Sequence, residues 1–131
     1  ESAAAAWAAR RRDDQDLAAM EAAFKAIEQT YQQNALGVDA DQRLHLAIAR
    51  ASKNPFFSSV LESLSEQIAY GVRLSRSLTL LDTPCRQETV LAEHRAVLDA
   101  IRLKQPEVAR ATMAHHITAA KDRMFVASQE D

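Results

Sequence analysis

Residues 86–124 read RQETVLAEHRAVLDAIRLKQPEVARATMAHHITAAKDRM. Val90, His94, Val97, Leu98 and Ile101 recur at spacings of three and four, the pattern of a helix that buries one face. After a short connection, Lys104 to Pro106, the pattern resumes with Ala109, Met113, His116, Ala120 and Met124. Pro106 suits a first helical turn, where its missing N–H would have had no intrahelical partner. This stretch predicts two helices, 86–103 and 106–127, and the short join makes them antiparallel neighbours.

Working back toward the N-terminus, the same logic predicts four more helices. Residues 1–10 are Ala-rich, with Trp7 as the one large anchor. Residues 13–32 carry Leu17, Met20, Phe24, Ile27 and Tyr31 at helical spacing, with Asp14 as the expected cap. After a break at Asn34 to Gly37, Asp39 and Gln42 suggest a capping box opening a helix that runs to about Ser52. Asn54-Pro55 marks a turn into a long helix, 55–78, whose expected buried stripe is Phe57, Val60, Leu61, Leu64, Ile68 and Val72. Thr79 to Pro84 is expected to be a loop. The fold class is therefore all-α, an antiparallel bundle of six to seven helices. With only 2 Gly and 3 Pro in 131 residues, little in the composition competes with that reading.

Composition also narrows function. A formal net charge of -2 gives the chain no electrostatic reason to bind phosphate backbones. The basic run Arg10, Arg11, Arg12 is followed by Asp13 and Asp14 and reads as a solvated helix end. Cys85 is the single cysteine, so no internal disulfide forms, which fits a cytoplasmic location. It is expected in the loop beside Pro84 as an ordinary thiol. No apolar run approaches the roughly 20 residues that span a bilayer, and no signal peptide is visible. The sequence opens at Glu1 inside a helical pattern, as an excised fragment of a longer protein would.

The chemistry concentrates in histidine. Of the four, His45, His94 and His116 fall on the apolar stripes of three different helices, while His115 is turned about 100° from His116. Asp41 lies four residues before His45, so its carboxylate and the imidazole share a helix face. Neutral imidazole is a common ligand of first-row metals, and a bundle core is where ligands from facing helices converge. A lone histidine on an apolar stripe is more often a hydrogen-bonded core residue than a ligand, and His115 reads as peripheral, although spacing alone does not choose between it and His116. Other sites fit worse: the chain has no HExxH, no Walker loop, no GxSxG and no Glu-x-x-His pair.

Four segments together resemble the FCD domain, the C-terminal effector domain of FadR-type GntR regulators. They are Asp41-Gln-Arg-Leu-His45; Ile48-Ala-Arg-Ala-Ser-Lys-Asn54-Pro55; Glu93-His94-Arg-Ala-Val-Leu-Asp-Ala-Ile101; and Ala109-Arg-Ala-Thr-Met-Ala-His-His116-Ile117. Glu1 to Arg12 resembles the family's first effector-domain helix, so the likeness covers residues 1–131 as one domain. It implies a metal set of Asp41, His45, His94 and His116, favouring His116 over His115. It also implies one divalent transition metal, zinc first, with nickel, manganese or iron as alternatives. A homodimer and an N-terminal winged helix-turn-helix that binds operator DNA are implied too, the latter absent from this chain. Leu44 stands where family members often carry an aromatic, a conservative packing change. The family's acyl-CoA-binding subgroup lacks the metal set, which this sequence keeps.

The expected function is therefore sensing, not catalysis. A small carboxylate effector, a hydroxy acid or sugar acid, would chelate the metal through two oxygens. Arg73, which resembles an arginine of the family's long middle helix, is the first candidate to bond it, with Asn54 as a second contact. Arg73 also reads as a surface residue paired with an acid, and Asn54 as a helix cap. Two rivals are a mononuclear metal-dependent hydrolase, which needs a general base beside an open metal position, and a metal-free helical interaction domain. No membrane partner is expected.

Overall fold

The computed structural model describes residues 1–78 and 83–129. Its elements are α1 (Ser2–Arg11), α2 (Asp14–Gln32), α3 (Val38–Ala51), α4 (Pro55–Ser63), α5 (Ser65–Leu78), α6 (Thr83–Arg102) and α7 (Pro106–Gln129), with no strand among the described residues. The all-α bundle expected from the sequence is what forms. Helix α1 packs on α3, α6 and α7; α2 lies on α3 and α6; α5 bridges α3 and α7.

The helices that the hydrophobic period marks most clearly bury what it says they bury. Met20, Phe24, Ile27 and Tyr31 of α2 meet Leu44 and Ile48 of α3, Val97, Leu98 and Ile101 of α6, and Met113 of α7 in one core. In α1 the buried residues are Ala4, Ala5, Ala6, Ala8 and Ala9. The alanines, not Trp7, anchor this helix, because small side chains let three neighbours approach its axis. Trp7 is only half-buried, with the Arg11 guanidinium 4.0 Å over its ring.

The basic run at the end of α1 is not merely solvated. Arg12 donates to the carbonyls of Ile101 (3.4 Å) and Arg102 (2.6 Å), and Arg11 to that of Ser52 (3.3 Å). These are the C-terminal ends of α6 and α3, where carbonyls lack intrahelical partners and the helix dipole favours a cation.

Helix starts differ from expectation in instructive ways. Asp13, not Asp14, caps α2: its carboxylate accepts from Asp16 N–H (2.7 Å), and Asp16 returns the bond to Asp13 N–H (2.9 Å). Helix α3 has no side-chain cap. Gly37 precedes it in the left-handed region at φ 73°, and a Cβ there would meet the Tyr31 ring at 2.7 Å, so both conformation and space require glycine. Asp39 lies inside the first turn, and Gln42 donates to the Ser65 carbonyl instead of closing a capping box. Residues 79–82 lie outside the described residues. Thr83, Pro84 and Cys85 belong to the first turn of α6, not to a loop, and the Cys85 thiol is exposed.

The expected long helix 55–78 is two helices. It breaks at Leu64, where φ is -101° and ψ 2°. The hydroxyls of Ser63 and Ser65 on either side bond the carbonyls of Val60 and Glu62, competing with the helical ladder. The expected buried stripe also fails here: α4 buries no residue, and Val60, Leu64 and Ile68 are 40%, 47% and 37% exposed.

Asn54 caps α4, its Oδ1 accepting from Phe56 N–H at 3.1 Å. Asn54→Ala is expected to cost about 1 kcal/mol of stability in urea unfolding, and Asn54→Ser to restore most of it. An Asn54→Ala variant as stable as the parent would show the cap to be dispensable.

Candidate metal centre

Asp41 and His45 lie one turn apart on the inner face of α3. His94 comes from the middle of α6 and His116 from α7. One ligand atom from each of the four lies within 4.8 Å of the others. Asp41 Oδ1 is 3.1 Å from both His45 Nε2 and His94 Nε2, and His116 Nε2 is 3.3 Å from His45 Nε2. His94 and His116 are 1% and 4% exposed, whereas His115 is exposed. Packing thus puts His116, and not its neighbour, in the cluster.

Each outer atom of the cluster but one is held. Glu93 Oε1 meets His116 Nδ1 at 2.8 Å, and Arg123 grips Glu93 with two bonds of 2.9 and 3.0 Å. Glu1 Oε1 meets His45 Nδ1 at 2.6 Å. Arg76 donates to Asp41 Oδ2 at 2.6 Å and to the Leu36 carbonyl. A carboxylate on Nδ1 places the ring proton there, which leaves the Nε2 lone pair facing inward.

The inner Nε2 atoms of His45 and His116 bond each other, but the other inner atoms are not satisfied. Asp41 Oδ1 and both nitrogens of His94 are buried without a hydrogen-bond partner, since the 3.1 Å approaches lack hydrogen-bond alignment. Unpaired buried polar atoms are costly and rare. Three imidazoles and a carboxylate, with lone pairs converging and outer atoms tied to acids and an arginine, form a donor set that could hold a metal ion.

The electrostatics follow from the packing. Burial works to raise the Asp41 carboxyl, but the polar contacts and charge of His45 and His94 outweigh it and hold it well below the usual range. Burial also works against a charged His45, yet Glu1 and Asp41 raise it to about 10, so in the metal-free cluster its Nε2 carries a proton that a bound ion would displace to free the lone pair. At His94 burial dominates and lowers the imidazole. Glu93 is opposed by burial but drawn down to about 2 by His116 and Arg123.

A cavity of about 500 Å³ opens beside the cluster. Asp41, His45, His116, Arg76, Arg86 and Arg123 are among the polar residues that line it. Arg73 and Asn54 are not on its wall. Arg73 is a surface side chain 3.8 Å from Asp39, and Asn54 is spent on its cap. The arginine of α5 that reaches the cavity is Arg76, one turn beyond Arg73, and the supporting residues Glu1, Glu93 and Arg123 were not named as such from the sequence. Arg123 was within reach of a periodicity argument, since it lies seven residues, two helical turns, after His116.

Among the described residues, no helix is long and apolar enough to cross a membrane. Residues 1–119 match the family model described as the FCD domain. The HTH-type transcriptional regulator LutR of Bacillus subtilis (strain 168) is 27% identical over 118 residues, covering 90% of this chain and 54% of that protein. The galactonate operon transcriptional repressor of Escherichia coli (strain K12) is 31% identical over 124 residues, covering 95% and 52%. The chain thus spans about half the length of the curated relatives it matches. Among solved structures, E. coli McbR/YncC superposes with a TM-score of 0.76 at 19% identity, over 97% of this chain and 58% of that one, a likeness of fold. With a family model covering all but the last residues, this chain belongs to the FCD domain family, the kind of domain that GntR-family transcription regulators carry.

Proposed function

We propose that this domain is the effector sensor of a bacterial transcription regulator. It binds one divalent transition metal, zinc first, on Asp41, His45, His94 and His116, and a small organic acid beside it. The observation that carries this reading is the inward-facing set of unpaired donors: Asp41 Oδ1 and His94 Nε2 have no hydrogen-bond partner although both are buried. The bound ion would supply positive charge and open coordination positions for a carboxylate. Arg76 and Arg123, on the same cavity wall, orient Asp41 and Glu93 and add positive potential for an anion. The hydrolase alternative is less well supported, because it needs a base to activate water. The two glutamates that touch the cluster are both spent on its outer side, Glu1 on His45 Nδ1 and Glu93 between His116 Nδ1 and Arg123.

Effector binding would act through helices α3, α5, α6 and α7, which all contribute to the cavity wall. It shifts an equilibrium between arrangements of a cytoplasmic homodimer only to the extent that it binds one of them more tightly. An N-terminal winged helix-turn-helix in the whole protein would read that shift out on operator DNA.

Elemental analysis of the untagged, dialysed domain tests the metal. About one equivalent is expected, lost in a His45→Ala/His94→Ala control. Absence of metal, with no binding of added zinc, nickel or manganese, would leave a metal-free interaction domain as the reading. The outer residues give a graded test. Glu93→Gln keeps the shape but weakens the hold on His116, and is expected to lower metal affinity about 10- to 100-fold in a chelator competition. Unchanged affinity would mean that Glu93 serves packing alone.

A further inference from the structure

The stripe of α4 and α5 that the hydrophobic period marks as core is exposed because it faces cavities. Leu61, Ile68 and Val72 line the 500 Å³ cavity from one side, and Ile117, Ala120 and Met124 of α7 from the other. Besides the residues at the cluster, and among the described residues, the polar lining consists of Gln42 and Ser65 with the exposed charged side chains Arg43, Glu62 and Lys121. Gln42 already donates to the Ser65 carbonyl, and the Ser65 hydroxyl to the Glu62 carbonyl. A second cavity of about 260 Å³ shares Glu1, His45, Leu61 and Ile68 with the first. Apart from Glu1 and His45 its wall is entirely apolar, with Phe56, Phe57, Val60 and Met113 prominent.

The donor cluster and its arginines adjoin a largely apolar interior, and the other charged side chains on the wall, Arg43, Glu62 and Lys121, are exposed ones. A ligand covered with hydroxyl groups would strip them of water against Leu61, Ile68, Val72 and Ile117 and find few partners for them there. A hydrocarbon tail would replace water there at no such cost.

We propose that the effector is an amphiphilic carboxylic acid, with a chelating 2-hydroxy-carboxylate head at the metal cluster and an unsubstituted aliphatic tail along Leu61, Ile68 and Val72, rather than a polyhydroxylated sugar acid. This rests on the metal-and-carboxylate reading above and narrows the substrate class within it.

Two acids with the same six carbons and the same head separate the possibilities: 2-hydroxyhexanoate, and gluconate, which differs in carrying hydroxyls along the tail. Titration calorimetry on the zinc-loaded domain is expected to show 2-hydroxyhexanoate binding at least about tenfold more tightly. Val72→Asn, which places an amide on the tail wall, is expected to shrink that ratio severalfold while zinc content stays the same. Gluconate binding as tightly or more tightly would overturn the inference and leave the metal-and-carboxylate reading standing. If zinc is retained but neither acid binds, the carboxylate reading falls and this inference with it. A dimer that Val60→Asp dissociates, in a domain that binds neither acid, would assign the apolar walls to a protein interface and also overturn it.

Discussion

His94→Ala is expected to bring bound metal down from about one equivalent to background, while His115→Ala keeps it. The contrast isolates geometry, because the two histidines differ in position and not in chemistry. His94 is 1% exposed, central to α6, and its Nε2 lies 3.1 Å from Asp41 Oδ1 without a hydrogen bond. His115 is exposed on α7, one residue from His116 but turned away from the cluster. Removing His94 takes away an inner donor and leaves a void among His45, His116 and Asp41. Helical content by circular dichroism separates loss of ligand from loss of fold. Metal retained by His94→Ala and lost by His115→Ala would refute the assignment.

Arg76→Met should be the most damaging single substitution outside the ligand set when the protein is metal-free. Arg76 bridges α5 to α3 with one bond to Asp41 Oδ2 at 2.6 Å and another to the Leu36 carbonyl. Both side chains are buried, at 9% and 11% exposure, so solvent screens the pair little. Methionine keeps most of the stem but leaves a buried carboxylate and a carbonyl without this partner. Breaking such a pair from one side costs about 3–5 kcal/mol. Urea unfolding of the metal-free variant checks this. Added zinc is expected to recover part of the loss, since it supplies positive charge to the same carboxylate. A loss below about 1 kcal/mol would place the pair in the class of weak surface bridges.

What could be read in advance divides along physical lines. Helices α2 and α6 pack one face on the core, so periodicity alone named Met20, Phe24, Ile27, Val97, Leu98 and Ile101 as buried. The same reasoning misjudged α4 and α5, because period reports which face is apolar and not what lies opposite it. The break at Leu64 carries neither Gly nor Pro, and the serine hydroxyls that accompany it are a weak signal. The cap of α2 slipped by one residue between two adjacent aspartates, a difference that local pattern does not resolve.

At the cluster, the spacing of Asp41 and His45 and the apolar stripes of α6 and α7 pointed to Asp41, His45, His94 and one of the His115-His116 pair, and the family resemblance favoured His116, the one the fold brings in. The supporting shell was less legible. Glu93 is turned about 100° from His94, as adjacent positions on a helix are, but α7 packs on α6 so that this direction leads to His116. That is a fact of helix pairing, invisible within one helix. Arg73 and Arg76 stand three residues apart on α5, and only the placement of α5 against α3 decides which one reaches Asp41.

The arginines at the end of α1 bear on where this domain can be cut. An alanine-rich opening segment ahead of an Arg-Arg-Arg-Asp-Asp run has the look of a dispensable leader to anyone trimming an expression fragment. It is instead an inner wall of the bundle. Starting the chain at Asp13 would strip five buried alanines from between α3, α6 and α7. It would also remove the Arg11 and Arg12 contacts to the carbonyls of Ser52, Ile101 and Arg102, and the Glu1 contact to His45. The smallest fragment worth making therefore includes Glu1, and a linker or fusion partner belongs ahead of it.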